Sequence, residues 1–406
     1  MSAQGSTNSS TTATGSSSPT MKRQTSRTGL YAAVAIVVIV VVVLAAGYYA
    51  GWFKGSSSSN SGTGCQPPAG GTIKGAGSTL VYPLMFQWES VYGGGTAVNY
   101  ESVGSGAGIT DISQKTVDFG ASDAPLEHAQ VVGLAGTALT IPESAGAVVP
   151  IYNLAGVPTL NFNGTILADI YLGTITNWNN TALQAINPGV TLPSATIQVV
   201  VRSDGSGTTF IWTSYLSAES STWASKYGKG TSVSFPVGTG EPKNAGVAGY
   251  VEKTPDTIGY VDLNYALNGP IAFGKVANPA GHYIAATVNN TASALKDANP
   301  TLPTGTGDWF NVSVLNAPGA GDYPITSLTY VLVYQDLSGT YGSSYTLTEA
   351  ETLVDFLYWV VTTGQGYSAQ LYYVPLPANI LTADEVSIAS ITYNGAAVPN
   401  TCGSSV

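Results

Sequence analysis

The sequence predicts an α/β protein of two lobes, preceded by one transmembrane helix. Three observations predict it. From Thr72 onward, short apolar strand-like runs alternate with helix-like segments, the pattern of α/β layers with largely parallel sheets. About 330 residues follow that point, more than a single core normally serves, and they divide into two lobes. Ahead of them, the uninterrupted apolar run from Leu30 to Tyr49 is about as long as a bilayer is thick.

Composition narrows the function classes. Of 406 residues, 44% are apolar and only 9% are charged, against roughly 25% charged in an average soluble protein. Hydroxyls and amides must therefore build most of the solvated surface. Residues 1–54 hold Lys22, Arg23, Arg27 and Lys54 and no acid, so the rest of the chain carries the remaining 9 basic residues against all 23 acidic ones. A nucleic-acid binder shows a basic footprint, and this large part shows the reverse. Two His and two Cys, far apart in the chain, argue against a local zinc cluster.

Residues 1–29 open with a Ser/Thr/Gly tract without periodicity and read as a disordered cytoplasmic tail. Residues 30–49 are the membrane span: 20 residues at about 1.5 Å each cover about 30 Å. A cleaved leader is the competing reading, but its apolar core is usually about 7–15 residues. Three basic residues precede the run and one follows it, which puts the tail inside and the C-terminal part outside. The expectation is a single-pass anchor in the cell membrane with an extracytoplasmic domain. Tyr48, Tyr49 and Trp52 suit the outer interface. Residues 50–71 lead out of the membrane as a Gly/Ser/Pro-rich linker.

Outside the cell, Cys65 and Cys402 are expected to form a disulfide tying the chain ends together. Lipid attachment at Cys65 is the alternative, although no apolar stretch immediately precedes it. Asn163, Asn179, Asn289 and Asn311 begin N-x-S/T sequons and are glycan candidates in that compartment; an Asn- and Thr-rich chain also yields sequons by chance.

Within the folded part, Thr96–Tyr100, Val117–Gly120 and Gly146–Tyr152 read as strands. Ile197–Val201 is a continuous buried strand, followed by a Gly/Ser turn and a helical pattern over Thr208–Leu216. Thr326–Tyr334 is a β-branched strand. The clearest helix is expected to start at Thr348, with Thr348 and Glu351 as a capping box and Gly364 as its stop. Leu353, Phe356, Leu357, Val360 and Val361 recur at helical spacing and belong to the core.

Three Gly/Ser/Thr loops, 75–79, 104–108 and 202–209, each stand between a strand and a helix. Glycine lets backbone approach a ligand, hydroxyls donate, and helix N-termini offer free N–H groups. Any one such loop is more often a turn; three together describe an anion site built from neutral donors. The rivals lack their residues. Gly75-x-Gly77 is followed by Leu80 and not the third Gly of a dinucleotide fingerprint. No loop carries Gly-Lys-Ser/Thr, and no G-x-S-x-G elbow occurs. His128 and His282 read as loop residues rather than catalysts.

Several longer stretches now matter together. Gly75–Leu80 is followed by Tyr82-Pro83-Leu84 and Trp88, then Gly104–Ile109 and Val117–Leu126. Leu167–Trp178, Arg202–Thr209, Gly246–Gly249 with Ile258–Val261, and Thr362–Pro377 continue the series. In this order the chain resembles the phosphate ABC transporter substrate-binding proteins, over about residues 72–380. The N-terminal anchor and the very low charge depart from the family's common pattern.

The resemblance implies a type II-like periplasmic-binding-protein fold: two α/β lobes and a hinge, closing on phosphate. Residues 72–150 and 322–400 would share one lobe, and 151–321 would form the other. By motif position, Thr79 and the amide of Leu80 would bind from the first loop and Ser105 from the second. Asp123 would accept a hydrogen bond from the ligand. Arg202, Ser206, Gly207 and Thr208 would complete the site from the opposite lobe, with Asp204 orienting Arg202. Leu80 stands where many members have Phe. No catalytic residue, metal or cofactor is implied. The implied function is capture of inorganic phosphate outside the cell for a membrane permease driven by a cytoplasmic ATPase. A phosphate-ester hydrolase and a surface phosphate sensor are the alternatives.

Overall fold

The computed structural model describes residues 65–157 and 159–402. The tail, the expected span at 30–49 and most of the 50–71 linker lie outside the described residues. Among the described residues, no helix is long and apolar enough to cross a membrane.

Twelve of the fourteen strands among the described residues carry the architecture, numbered along the chain: β1 (Ile73–Gly77), β2 (Val98–Ser102), β3 (Phe119–Ser122), β4 (Ala138–Asn153), β5 (Asn161–Phe162), β6 (Gln198–Arg202), β7 (Thr239–Glu241), β8 (Thr257–Asp262), β9 (Ala272–Phe273), β10 (Lys275–Ala277), β11 (Tyr283–Ile284) and β12 (Thr326–Tyr334). The main sheet runs β2-β1-β3-β12-β4-β8-β6-β7, with β9 beside β4. β5, β10 and β11 make a small second sheet.

Strand β4 organises the sheet. All of it is buried except its two ends, and its second half, Gly146–Tyr152, is continuous in apolar character, as expected of a strand covered on both faces. From Ala138 to Ala147 it pairs with β12, and from Val148 to Asn153 with β8. It thus belongs to two groups of strands that lie on either side of it. In the first group, β1 is parallel to both β2 and β3. In the second, β6 is parallel to β7 and β8. The strands between, β12 and β4, run antiparallel to their neighbours. The sheet is therefore mixed, which corrects the expectation of largely parallel strands: the two long strands that join the groups return by a different route from the strand–helix units.

A bulge interrupts the β4–β12 ladder. Thr329 pairs with Ser144 and Tyr330 with Pro142, leaving Glu143 as the extra residue. Pro142 sits in a central strand because a bulge relieves it of a ladder hydrogen bond.

Helices cover both groups with aromatic contacts. Helix Leu347–Val361 sets Phe356 5.2 Å from Tyr92 and 5.7 Å from Phe119, ring centre to ring centre. Its cap is Thr346, whose Oγ1 accepts from Glu349 N while the Glu349 carboxylate accepts from Thr346 N. The box is thus two residues earlier than Thr348/Glu351. Gly364 is not its stop either: the C-cap is Thr362, and Gly364 lies in the following 3₁₀ turn, where its carbonyl accepts from Trp88 Nε1. In the second group, Trp212 stacks on Tyr260 at 5.1 Å and meets Tyr171 edge-on at 5.3 Å. Leu295, Trp309 and Val314 form a satellite cluster with Leu328, Tyr330 and Leu376.

Cys65 and Cys402 form a disulfide across 337 residues. Thr401 reinforces the closure by donating to both Asp355 carboxylate oxygens, from its amide at 2.7 Å and its hydroxyl at 2.8 Å. Both ends of the described segment, Cys65 and Thr401, are thereby fixed to helix Leu347–Val361.

Candidate functional site

The three Gly/Ser/Thr loops converge. They follow the carboxyl ends of β1, β2 and β6, where ligand crevices of α/β sheets form. Asp123 follows the end of β3. Between the second and third loops the backbones touch: Gly106 N donates to Gly205 O at 2.9 Å. A Cβ on Gly106 would lie 2.9 Å from Gly205 Cα, so only glycine permits this approach.

Asp123 is 1% exposed. Its Oδ1 accepts from Ser78 Oγ at 2.5 Å and from Thr329 Oγ1 at 2.9 Å. Ser105 Oγ stands 3.4 Å from Oδ2 and accepts from Asp123 N. Burial drives this carboxyl up to about 6, against the hydrogen bonds of Ser78 and Thr329 and the charge of Arg202. Asp123 Oδ2 faces Gly207: a Cβ there would run into that oxygen and stand 2.5 Å from Ser105 Oγ.

Arg202 ends β6 with its side chain 1% exposed. Asp204 holds the guanidinium from two sides, Oδ1 accepting from Nε at 2.8 Å and Oδ2 from Nη2. This is a fork-to-fork pair that fixes the plane of the cation. Burial raises the Asp204 carboxyl, but the hydrogen bonds and charge of Arg202 outweigh it and hold the group below its ordinary value. The Arg202 amide donates to Tyr260 OH at 3.2 Å, which ties the cation to the aromatic core beneath. Nη1 points to Thr208 Oγ1 at 3.4 Å.

Helix Gly207–Glu219 starts beside this cation. Ser206 is its cap, with Oγ accepting from Thr209 N at 3.0 Å. The amides of Gly207 and Thr208 belong to the first turn, which has no intrahelical acceptors, and the helix dipole places positive potential there.

All nine residues singled out from sequence therefore gather here. Two are engaged differently from expectation. Leu80 N is directed at Ser78 Oγ at 3.0 Å, and the Leu80 carbonyl accepts from Tyr373 OH. Ser206 serves as a cap through its hydroxyl. Four neighbours were not legible. Ser78 supports Asp123. Asn244 donates from Nδ2 to Thr79 Oγ1 at 2.9 Å and to Thr208 Oγ1 at 3.1 Å. Tyr265 OH donates to the Thr79 carbonyl at 2.7 Å. Thr329 reaches Asp123 from β12. The sequon residues lie elsewhere: Asn179, Asn289 and Asn311 are exposed, whereas Asn163 is half-buried and caps helix Gly164–Tyr171.

One guanidinium, one buried carboxylate, several hydroxyls and a helix N-terminus can hold a small oxyanion. The carboxylate can accept from such an anion only where the anion carries a proton.

Known proteins share this chain's pattern. The sequence profile of the PBP superfamily domain matches residues 63–363. The phosphate-binding protein PstS of Xylella fastidiosa is 38% identical over 327 residues, 78% of this chain and 85% of that protein. PstS of Methanocaldococcus jannaschii is 35% identical over 282 residues, 66% of this chain and 72% of that protein. Among solved structures, a phosphate-binding protein from Stenotrophomonas maltophilia superposes with a TM-score of 0.58 at 19% identity, covering 78% of this chain and 93% of that one. That likeness places the mixed α/β architecture in the two-lobe periplasmic-binding-protein fold. On sequence and fold together, the chain belongs to the PstS-like phosphate-binding proteins of the PBP superfamily.

Proposed function

We propose that the chain captures inorganic phosphate outside the cell and hands it to an ABC permease driven by a cytoplasmic ATPase, without catalysing a reaction. The observation that carries the reading is the pairing of Asp123 with Gly207 across the converged loops, with Arg202 locked beside them by Asp204. Thr79, Ser105, Thr208 and the amides of Leu80, Gly207 and Thr208 supply the remaining donors, with the Ser206 hydroxyl turning the chain into the helix. The Leu80 amide reaches a ligand by releasing Ser78 Oγ.

The lobes in this reading are 72–150 with 322–400, and 151–321. The change of partner along β4 after Ala147 supports a hinge there. The Cys65–Cys402 disulfide supports an oxidising, extracytoplasmic compartment. Residues 30–49 would anchor the chain in the membrane, leaving the binding domain outside on its linker. Asn179, Asn289 and Asn311 would be open to glycosylation there, with Asn163 hindered by its capping role.

Isothermal titration tests the reading. Inorganic phosphate should bind the parent chain at one site, and Arg202→Ala should lose at least about 100-fold in affinity, the scale of a buried charge-assisted contact. Equal binding by the two proteins would place the ligand elsewhere.

A further inference from the structure

A second buried carboxyl stands behind Asp123. Glu143 is fully buried on β4, and as the extra residue of the bulge it is turned toward β12. Its Oε1 lies 3.2 Å from Thr329 Oγ1, and that same hydroxyl lies 2.9 Å from Asp123 Oδ1. A threonine hydroxyl has one proton and can donate only once. If both carboxyls were ionised, one of them would face the Thr329 oxygen with no proton between. One carboxyl must therefore carry a proton and donate it to Thr329.

The surroundings decide which one. Asp123 is well furnished for a negative charge, with Ser78 donating to Oδ1, Ser105 near Oδ2 and Arg202 acting on it. Glu143 is not. Its Oε2 has no hydrogen-bond partner among the described residues, and an ionised oxygen so placed is costly. The groups facing it offer no cation: Asp123 from the β3 end, Tyr100 from β2 and Thr329 from β12, with Tyr330 of β12 acted on by Asp123. Gln365 donates to the Glu143 carbonyl, not to its carboxyl. Burial holds the phenols of Tyr100 and Tyr330 above their ordinary values, so they stay neutral. Asp262, farther along β8, is raised by burial and again by the charge of Asp123.

We propose that Glu143 is a positioning residue for phosphate binding: its protonated carboxyl donates to Thr329, Thr329 donates to Asp123 Oδ1, and Asp123 is thereby kept ionised with Oδ2 free to accept a P–OH proton. The inference rests on the phosphate-capture reading and adds to it a residue two side chains away from the ligand. The orientation agrees with it, since Oδ1 faces Ser78 and Thr329 while Oδ2 faces Gly207.

Burial and the charge of Asp123 raise the Glu143 carboxyl to about 8. Above that pH, Glu143 loses its proton to solvent, Thr329 turns its own proton to Glu143, and Asp123 loses a donor while gaining a like-charged neighbour. Phosphate binding should weaken there beyond what the titration of phosphate itself causes.

The test compares phosphate affinity of the parent chain and Glu143→Gln by isothermal titration from about pH 6.5 to about pH 9.5. The Gln amide can donate to Thr329 and cannot ionise. Across that range the parent should lose roughly tenfold more affinity than the variant, because the ligand's own titration is common to both. Parallel profiles would overturn the proposal. Thr329→Val keeps the side-chain shape and cuts the relay; it should bind more weakly throughout and keep only the part of the alkaline loss that the charge of Glu143 on Asp123 causes. An alkaline loss in Thr329→Val as large as the parent's would equally overturn the relay. Infrared spectra of the ligand-free parent supply a readout independent of binding. The difference spectrum, parent minus Glu143→Gln, should contain a protonated-carboxyl C=O band at neutral pH that is lost at alkaline pH; Asp262 and Asp384, also raised by burial, are common to both proteins and cancel. A difference spectrum without that band refutes the relay even if the parent binds phosphate well. A parent that binds no phosphate refutes the capture reading, and with it a role for Glu143 in binding.

Discussion

Asn244 Nδ2 donates to Thr79 Oγ1 at 2.9 Å, and through the same amide group to Thr208 Oγ1 at 3.1 Å. One buried side chain thus fixes hydroxyls from two loops that are far apart in sequence. Its Oδ1 accepts from Asp262 N at 3.1 Å, which sets the amide's orientation. Asn244→Ala would remove this shared restraint, leaving only the longer contacts of Arg202 Nη1 with Thr208 Oγ1 and of the residue-244 amide with Thr79 Oγ1. We expect phosphate affinity to fall about 10-fold, on the scale of one or two hydrogen bonds. Unchanged affinity by isothermal titration would mean that these hydroxyls do not hold the ligand in this arrangement.

Gly207 lies directly against Asp123 and Ser105. A Cβ would collide with Asp123 Oδ2 and crowd Ser105 Oγ. Gly207→Ala should therefore oppose closure. Relieving such an overlap costs about 1–3 kcal/mol, so affinity should fall roughly 10- to 100-fold. Parent-like binding by this variant would show that the loops separate when ligand is held.

The Cys65–Cys402 link closes a loop of 337 residues. Chain entropy assigns such a loop roughly 6 kcal/mol, or about 5–10 °C in Tm for a chain of this size. Reduction should lower the calorimetric Tm by that amount. A reduced protein with the Tm of the oxidised one would mean that Thr401 and Asp355 already hold the ends.

Stability should also depend on pH through the two coupled carboxyls. Burial raises Asp123 from its ordinary 3.8 to about 6 and Glu143 from 4.5 to about 8. Between the unfolded and folded values the folded chain binds more protons than the unfolded one. Their contribution to stability is thus greatest in acid, falls as pH rises from about 4 through about 8, and is level above that. Asp204, held low mainly by Arg202 against its burial, works in the opposite sense at the acid end. Glu143→Gln should show a shallower decline in Tm between about pH 5 and about pH 8. An equal slope would mean that Glu143 titrates alike folded and unfolded.

Much of this site is legible in the sequence because its donors are local. Gly, Ser and Thr between a strand and a helix mark turns that expose amides, and Arg202 and Asp204 lie two residues apart. Thr326–Tyr334 is the strand its β-branched pattern indicates. The capping box fails for a local reason: Thr346-x-x-Glu349 and Thr348-x-x-Glu351 both satisfy the motif, and packing chooses the first. Asn244 is invisible because its position depends on Lys243, which has a left-handed backbone with φ 62°, and on loops distant in the chain. Glu143 left a signal. Pro142-Glu143 sets a proline and an acid side by side in a buried strand, although proline alone does not locate the bulge: Pro150 lies in the same strand in regular register with Tyr260. What the bulge aims at depends on the β12 register, which no local pattern carries.

Competition between phosphate and sulfate tests the central claim most directly. At neutral pH phosphate carries at least one proton and sulfate carries none. Asp123, buried and ionised, can accept from the first and only repel the second, and burial leaves that repulsion poorly screened. An unpaired buried acceptor costs about 1–3 kcal/mol, so the parent should bind phosphate in the presence of a large excess of sulfate. Asp123→Asn keeps the shape and can donate through its amide. It should narrow the preference by about 10-fold or more, chiefly by admitting sulfate. If isothermal titration shows Asp123→Asn rejecting sulfate as strongly as the parent, Asp123 does not read the ligand's proton, and the account of this site is wrong.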